Sequence, residues 1–443
     1  MGTQNRTGNI GVGKEAAKKK LLVAKELFSD PQGLSSRIQW QNDIRKYVVE
    51  SPGFLPYVRS WFQGRALAEI IRTYPLQNVV GIVSSDSDVL SRIINHVRES
   101  VPHFDPFAVV DPLSESIYRR TDKRDQNPLA DNESMPADIR TLITNRTRRL
   151  KNRDLGEGKD WYANVLALLY NTPDGGIGWM DTEIRKHIAA GAKMAVPTLP
   201  CIVNEESKTY WKNAFVALKN YYIKTEDIDD KSGIPLALHI PINHEMFREG
   251  ASGIIDEIYN DVEELNPSAI TIKVTGGARL DKKDDIEKRK RISDFIENIG
   301  RTAKAQGTFT HLFSENTSGI HAFNLGINTF SQPLDNKEIR LPYGGLSAPT
   351  VEQRYGKIYD YKEKRFVSHM VWMNRTEELG QPPCGLECCE NKTFQELNRM
   401  THFEFYRYAG RHLVLTRNLE ISEYIQAIKD KTVSAHFKSK FEM

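Results

Sequence analysis

The sequence predicts an α/β protein built as an eight-stranded (β/α)8 TIM barrel. Three observations carry that expectation. Short apolar runs rich in β-branched residues recur along the chain, and most are followed by helical periodicity. Eight such runs are present, and strand–helix alternation of this kind demands a parallel sheet with crossover connections. The first strand-to-helix turn, Ser84-Ser85-Asp86-Ser87-Asp88, lacks the glycines of a doubly wound nucleotide-binding sheet, which favours closure into a barrel.

Before residue 76 the pattern is helical and irregular, over residues 14–28, 36–50 and 56–73, and reads as an N-terminal extension. Strands are expected at residues 79–83, 107–110, 165–170, 194–197, 236–240, 269–274, 309–313 and 327–330. Helices are expected at 89–99, 138–150, 179–190, 205–223, 251–265, 283–305 and 317–325. After Phe330 the next helix is delayed by a long excursion, residues 332–392, that holds three cysteines; helices are then expected at 393–409 and 418–429. The chain therefore divides into a basic helical extension (1–75), a barrel (76–335), and a Cys-rich, zinc-type insertion between strand eight and its helix, with closing helices (336–443).

The chain has 443 residues, enough for a large barrel with additions. No run approaches the ~20 apolar residues that cross a bilayer, and the N-terminus has no apolar core of a signal peptide, so no membrane association is expected. The four cysteines include Cys388 and Cys389 side by side. That is no disulfide framework, and a reducing, cytoplasmic setting is the default. Net charge is +3, but residues 1–75 carry net +6 and residues 118–153 net +5, so the remainder is acidic. Two basic segments suit a polyanion such as nucleic acid, and equally suit plain solubility.

Gly8 to Lys14 has the spacing of a phosphate loop, but Glu15 follows the lysine and no strand precedes, so it reads as a tail. Cys384, Cys388 and Cys389, with His402 and His412 downstream, suit a closed zinc site that ties down an insertion; the bland reading is free thiols on a loop. In a barrel, residues just past the strand C-termini line the site. Here these are Asp86, Asp88, Asp111, 197–201, His239 to Asn243, Gly276, Gly277, Glu315, Asn316 and 331–335. Paired carboxylates among them could act as nucleophile and acid/base. Asp86 also has the look of an ordinary helix N-cap. Gly276-Gly277 lets a planar ligand lie on bare backbone, or forms only a turn.

From strand five onward the layout resembles the tRNA-guanine transglycosylase superfamily, including its DNA-acting 7-deazaguanine relatives. The resemblance rests on Ala269 to Gly277 with its terminal Gly-Gly, on residues 309–331, on Cys384 and Cys389, and on the segment from Ala409 to Leu419. It implies exchange of guanine for a 7-deazaguanine base in DNA or tRNA through an aspartate–sugar intermediate. Asp335 would be the nucleophile and Asp86 the general base. Asp88, His239, Asn243, Gly276, Gly277 and Ser331 would bind substrate, and Cys384, Cys388, Cys389 and His412 would hold structural Zn2+. Partners would be nucleic acid and the base, with a homodimer allowed. The chain departs from the family pattern at Ser331, which stands at the nucleophile's position, at Leu386 for the second cysteine, and at Arg417 for the zinc-binding histidine. Two other functions stay open: a non-catalytic nucleic-acid-binding barrel, and an unrelated barrel enzyme on a small sugar or phosphate substrate.

Overall fold

The structure is a computed structural model. It describes residues 38–41, 46–49, 53–74, 76–102, 104–114, 133–137, 139–140, 159–225, 228, 234–248, 252–275, 283–313, 319–334, 357–363, 365–384, 386, 389 and 392–432. A small antiparallel hairpin, β1 (Ile38–Gln41) and β2 (Lys46–Val49), comes first. Seven parallel strands then build one curled half-barrel sheet: β3 (Gly53–Tyr57), β4 (Gly81–Ser84), β5 (Phe107–Val110), β6 (Ala237–Asn243), β7 (Ala269–Thr275), β8 (Phe309–Phe313) and β9 (Thr329–Pro333). Their order across the sheet is β5-β4-β3-β9-β8-β7-β6. The first and last strands of this series lie side by side, with Gly53 opposite Thr329 and Tyr57 opposite Pro333.

Residues 193–202 run along both outer edges of the sheet. The Lys193 amide donates to Ala108 O on β5 (2.8 Å), and the Ala237 amide on β6 donates to Ala195 O (2.8 Å). Further along, the Ile202 amide donates to Pro241 O (2.7 Å) and the Asn243 amide to Ile202 O (2.9 Å).

Alternation along the strands separates two cores. Outward residues such as Ile82, Val110, Ile240, Ile272 and Phe330 meet the helices. Inward residues Leu55, Val83, Val109, Met194, Val196 and Phe309 pack on one another inside the curl. The covering helices are α1 (Trp61–Thr73), α2 (Ser87–Ser100), α3 (Lys159–Tyr170), α4 (Ile177–Ala189), α5 (Glu205–Thr225), α6 (Ser252–Leu265), α7 (Lys283–Gln306) and α8 (Gly319–Asn324). In α2 the buried Leu90, Ile93, Ile94 and Val97 form the single apolar stripe that a surface helix turns to its sheet. A third core lies in the C-terminal part, where β10 (Lys357–Asp360), β11 (Arg365–Ser368), α9 (His369–Leu379), α10 (Phe394–Arg399) and α11 (His402–Lys429) gather around Trp372, Phe405 and Tyr408.

Several expectations need correction. Residues 165–170 are the end of helix α3, not a strand. Tyr162, Val165, Leu166 and Leu169 are buried at i, i+3, i+4 and i+7, and a short apolar run cannot by itself distinguish the two periods. The stretch read as helical extension contains the hairpin and, in β3, a strand at the middle of the sheet, so the sheet begins well before residue 76. Gly53 there would place an added Cβ 2.4 Å from Val80 Cγ2; a glycine and Pro56 hid this strand from propensity. Of the two expected C-terminal helices, the first is broken after Arg399 into α10 and the start of α11, and α11 then runs unbroken through residues 409–419, a segment with no proline. Residues 14–28 and most of 138–150 lie outside the described residues.

Candidate active centre and metal-type cluster

Asp111 directly follows β5, where its amide continues the ladder by donating to Ser84 O (2.8 Å). Its carboxylate accepts from Lys273 Nζ at 2.7 Å, and both side chains are 1% exposed. Lys273 stands inward on β7, one of the alternating polar residues Thr271, Lys273 and Thr275 that share this strand with outward Ile270 and Ile272. Burial would raise the Asp111 carboxyl, but the charge and hydrogen bond of Lys273 hold it below the usual carboxylate value.

Three further titratable groups surround this pair, each from a different strand. His239 on β6 bonds Thr271 Oγ1 through Nδ1 (2.8 Å), while its buried Nε2 has no hydrogen-bond partner among the described residues. Burial drives its pKa down to about 3 against the pull of Asp111, so the ring is neutral. His311 on β8 is likewise held at about 3 by burial. Its tautomer follows from its partners. Thr329 Oγ1 donates to Thr310 O (3.4 Å), so it accepts from His311 Nδ1–H (2.9 Å), and Ser331 then donates to His311 Nε2 (3.2 Å). Phe313 meets both rings edge-on, at 5.8 Å from His239 and 4.6 Å from His311. Tyr57, at the end of β3, has its phenol pushed well above its ordinary value by burial and then by Asp111, with Lys273 and Arg59 opposing. The result is a buried, polar centre fed by five strands, with Asp111 and Tyr57 at the carboxyl ends of β5 and β3 and Lys273, His239 and His311 within β7, β6 and β8. One acid is kept ionised beside one amine, and uncharged imidazoles stand around them.

The structure distributes the other expected site residues as follows. Ser331 is in this centre and so is His239. Asn243 is buried at the end of β6, but its side chain accepts from the Glu245 amide (2.9 Å) and caps a short 3-10 turn. Asp86 is exposed and caps α2, accepting from the amides of Asp88 (2.8 Å) and Val89 (3.0 Å); Asp88 is exposed in the same turn. Moreover β4, which leads to Asp86, is separated by β3 from β9, which leads toward Asp335. Asp335, Gly276, Gly277, Cys388, Glu315 and Asn316 lie outside the described residues. Lys273 and Tyr57 were not anticipated as site residues. The available signal was the polar alternation inside an apolar strand, which in a barrel marks the inward face.

The second cluster is in the C-terminal core. Cys384 and Cys389 come from the segment between α9 and α10, and His412 comes from α11. All three are buried, and their ligand atoms lie within 4.8 Å of one another, so they could hold a metal ion. His412 Nε2 faces Tyr359 O (2.7 Å), which fixes the proton there and turns the bare Nδ1 toward Cys389 Sγ (3.3 Å). The Leu386 amide donates to Cys384 Sγ (3.5 Å), and Tyr408 Oη lies 2.9 Å from Cys389 Sγ. Two thiols, an outward-buttressed imidazole and an amide aimed at sulfur form a donor set suited to a thiophilic metal. Arg417, expected at a ligand's position, instead lies buried among Gln332, Glu420 and Tyr359.

No helix among the described residues is long and apolar enough to cross a membrane. No family model and no curated protein matches the chain. A solved HpcH/Hpal aldolase/citrate lyase family protein from Burkholderia cenocepacia J2315 is similar at a TM-score of 0.29 and 10% identity, over 64% of this chain and 89% of that one.

Proposed function

We propose that the chain is a barrel enzyme acting on a small substrate at the carboxyl ends of its strands, with Asp111 as the proton-transfer group. In this reading residues 193–196 complete the wall as an eighth stave. The observation that carries it is the ion pair of Asp111 and Lys273, both 1% exposed, inside a wall that apolar residues could have filled. Taking two charges out of water costs several kcal/mol per ion, and such pairs are often replaced by apolar residues without loss of stability. Costly titratable groups gathered from several strands are the usual mark of a reaction centre.

The test needs no substrate. Asp111→Leu or Lys273→Met alone strands a buried charge and should cost about 3–5 kcal/mol of unfolding free energy. The double variant should be as stable as the parent or more so, by denaturant titration. A double variant as damaged as the singles would show a structural pair, and the reading would fall.

A second reading is base exchange on nucleic acid, with zinc at the C-terminal cluster. It is favoured by one observation: Cys384, Cys389 and His412, three of the four residues the resemblance would give to zinc, have their ligand atoms within 4.8 Å of one another. Asp111 would then take the acid/base role, because Asp86 is committed to its cap. Labelled guanine should enter DNA or tRNA, Asp111→Asn should abolish the exchange, and binding should weaken steeply with salt. A parent protein that never exchanges a base removes this second reading and leaves the first.

A further inference from the structure

An arginine would hold Asp111 ionised more securely than a lysine, since guanidinium never gives up its proton and grips a carboxylate with two donors. The position is instead filled by the amine whose proton can leave. Lys273 Nζ is 2.7 Å from Asp111 Oδ2, with the side chain inward on β7 and its Cα opposite Pro241 of β6. A lysine is almost never fully buried without a specific reason. Phe313 and the neutral imidazoles of His239 and His311 stand beside the pair. Shifting one proton from Nζ to Asp111 turns the ion pair into a neutral amine and a carboxylic acid, which a dry site penalises little.

We propose that Lys273 is a covalent nucleophile that forms an imine with the carbonyl carbon of a small aldehyde or ketone, with Asp111 as its proton carrier. This deepens the reading of the centre as an active site and rests on it. The ammonium gives a proton to the Asp111 carboxylate. The freed amine attacks the carbonyl carbon, a C–N bond forms, and the carbonyl electron pair moves to oxygen, which takes the proton from Asp111. The carbinolamine then loses its hydroxyl as water, with one nitrogen proton carried across by Asp111. One ammonium and one carbonyl become one protonated imine and one water, so atoms and charge balance. His239 Nε2, with no partner among the described residues, is placed to bond a hydroxyl beside the reacting carbon, which points to hydroxy-aldehydes and hydroxy-ketones.

The full chain is incubated at neutral pH with glycolaldehyde, dihydroxyacetone or pyruvate and sodium cyanoborohydride, then digested and mapped by mass spectrometry. The expected result is a reduced adduct on Lys273 with at least one of the three. It should form roughly tenfold faster than on any exposed lysine, as an amine with a built-in proton carrier should. Lys273→Arg, which keeps the charge pair, should lose this adduct and keep its melting temperature. Adducts confined to exposed lysines, or the same total labelling in Lys273→Arg, would overturn the imine. If the double apolar variant is nonetheless stable, the imine alone falls and the centre stands as an acid/base site.

Discussion

Asp111, His239 and His311 have meaning only through what surrounds them, and their acid response shows it. Burial holds His239 and His311 at about 3 and His187 at about 4, all below their ordinary 6.5. Below pH 6.5 the unfolded chain binds protons that the folded chain refuses, so stability falls as pH drops and goes on falling until the folded rings titrate. At pH 4.5 each histidine should have removed about 2.5 kcal/mol. Asp111, held low by Lys273, acts in the same direction: its contribution is present above the ordinary carboxylate range and disappears as pH falls through its lowered value. The urea midpoint should therefore drop sharply between pH 7.5 and 4.5, and His311→Gln should flatten that slope by about one proton. An unchanged midpoint would mean that the rings are charged in the folded protein. Asp111 was recognisable in the sequence as an acid at a strand end. That it faces Lys273, 162 positions away, was not, because nothing local to either residue records the register that joins them.

At the scale of single elements, Asp86 illustrates a residue whose local role accounts for what is seen. It accepts two amide hydrogen bonds at the start of α2. Asp86→Ala should cost about 1 kcal/mol and Asp86→Asn only a few tenths, since asparagine caps as well. A collapse of activity in the asparagine variant at unchanged stability would restore a chemical role to Asp86. Amphipathic helices such as α2 could be located from their stripe of apolar residues. Val165 to Tyr170 reads as a strand because it is a short apolar run, and the helical spacing of the buried residues in α3 becomes decisive only once Tyr162 is counted with them. β3 is hidden for the opposite reason: Gly53 and Pro56 have poor strand propensity, but a sheet neighbour on each side leaves no alternative.

Across the whole molecule, the C-terminal cluster is joined to the candidate centre through both side chains and backbone. His412 bonds Tyr359 O; the Tyr359 ring lies 4.0 Å from the Arg417 guanidinium; Arg417 Nε donates to Gln332 Oε1 at 2.7 Å; and Gln332 adjoins Ser331 on β9. Metal analysis should give about one zinc per chain, and chelation should lower the melting temperature by several degrees, because such binding energy is folding energy. Metal-free protein with an unchanged melting temperature would reduce the cluster to packing.

The amino-acid order alone established the parallel α/β class, the positions of β4 to β9 to within a few residues, and the cysteines and histidine that meet in the C-terminal core. Those depend on local periodicity and on residue chemistry, both of which are written along the chain. The place of β3 beside β9, the union of Asp111 with Lys273, and the neutral state of the two central histidines arose from folding. Each depends on which strands become neighbours and on how completely water is excluded between them, and both are properties of the assembled sheet.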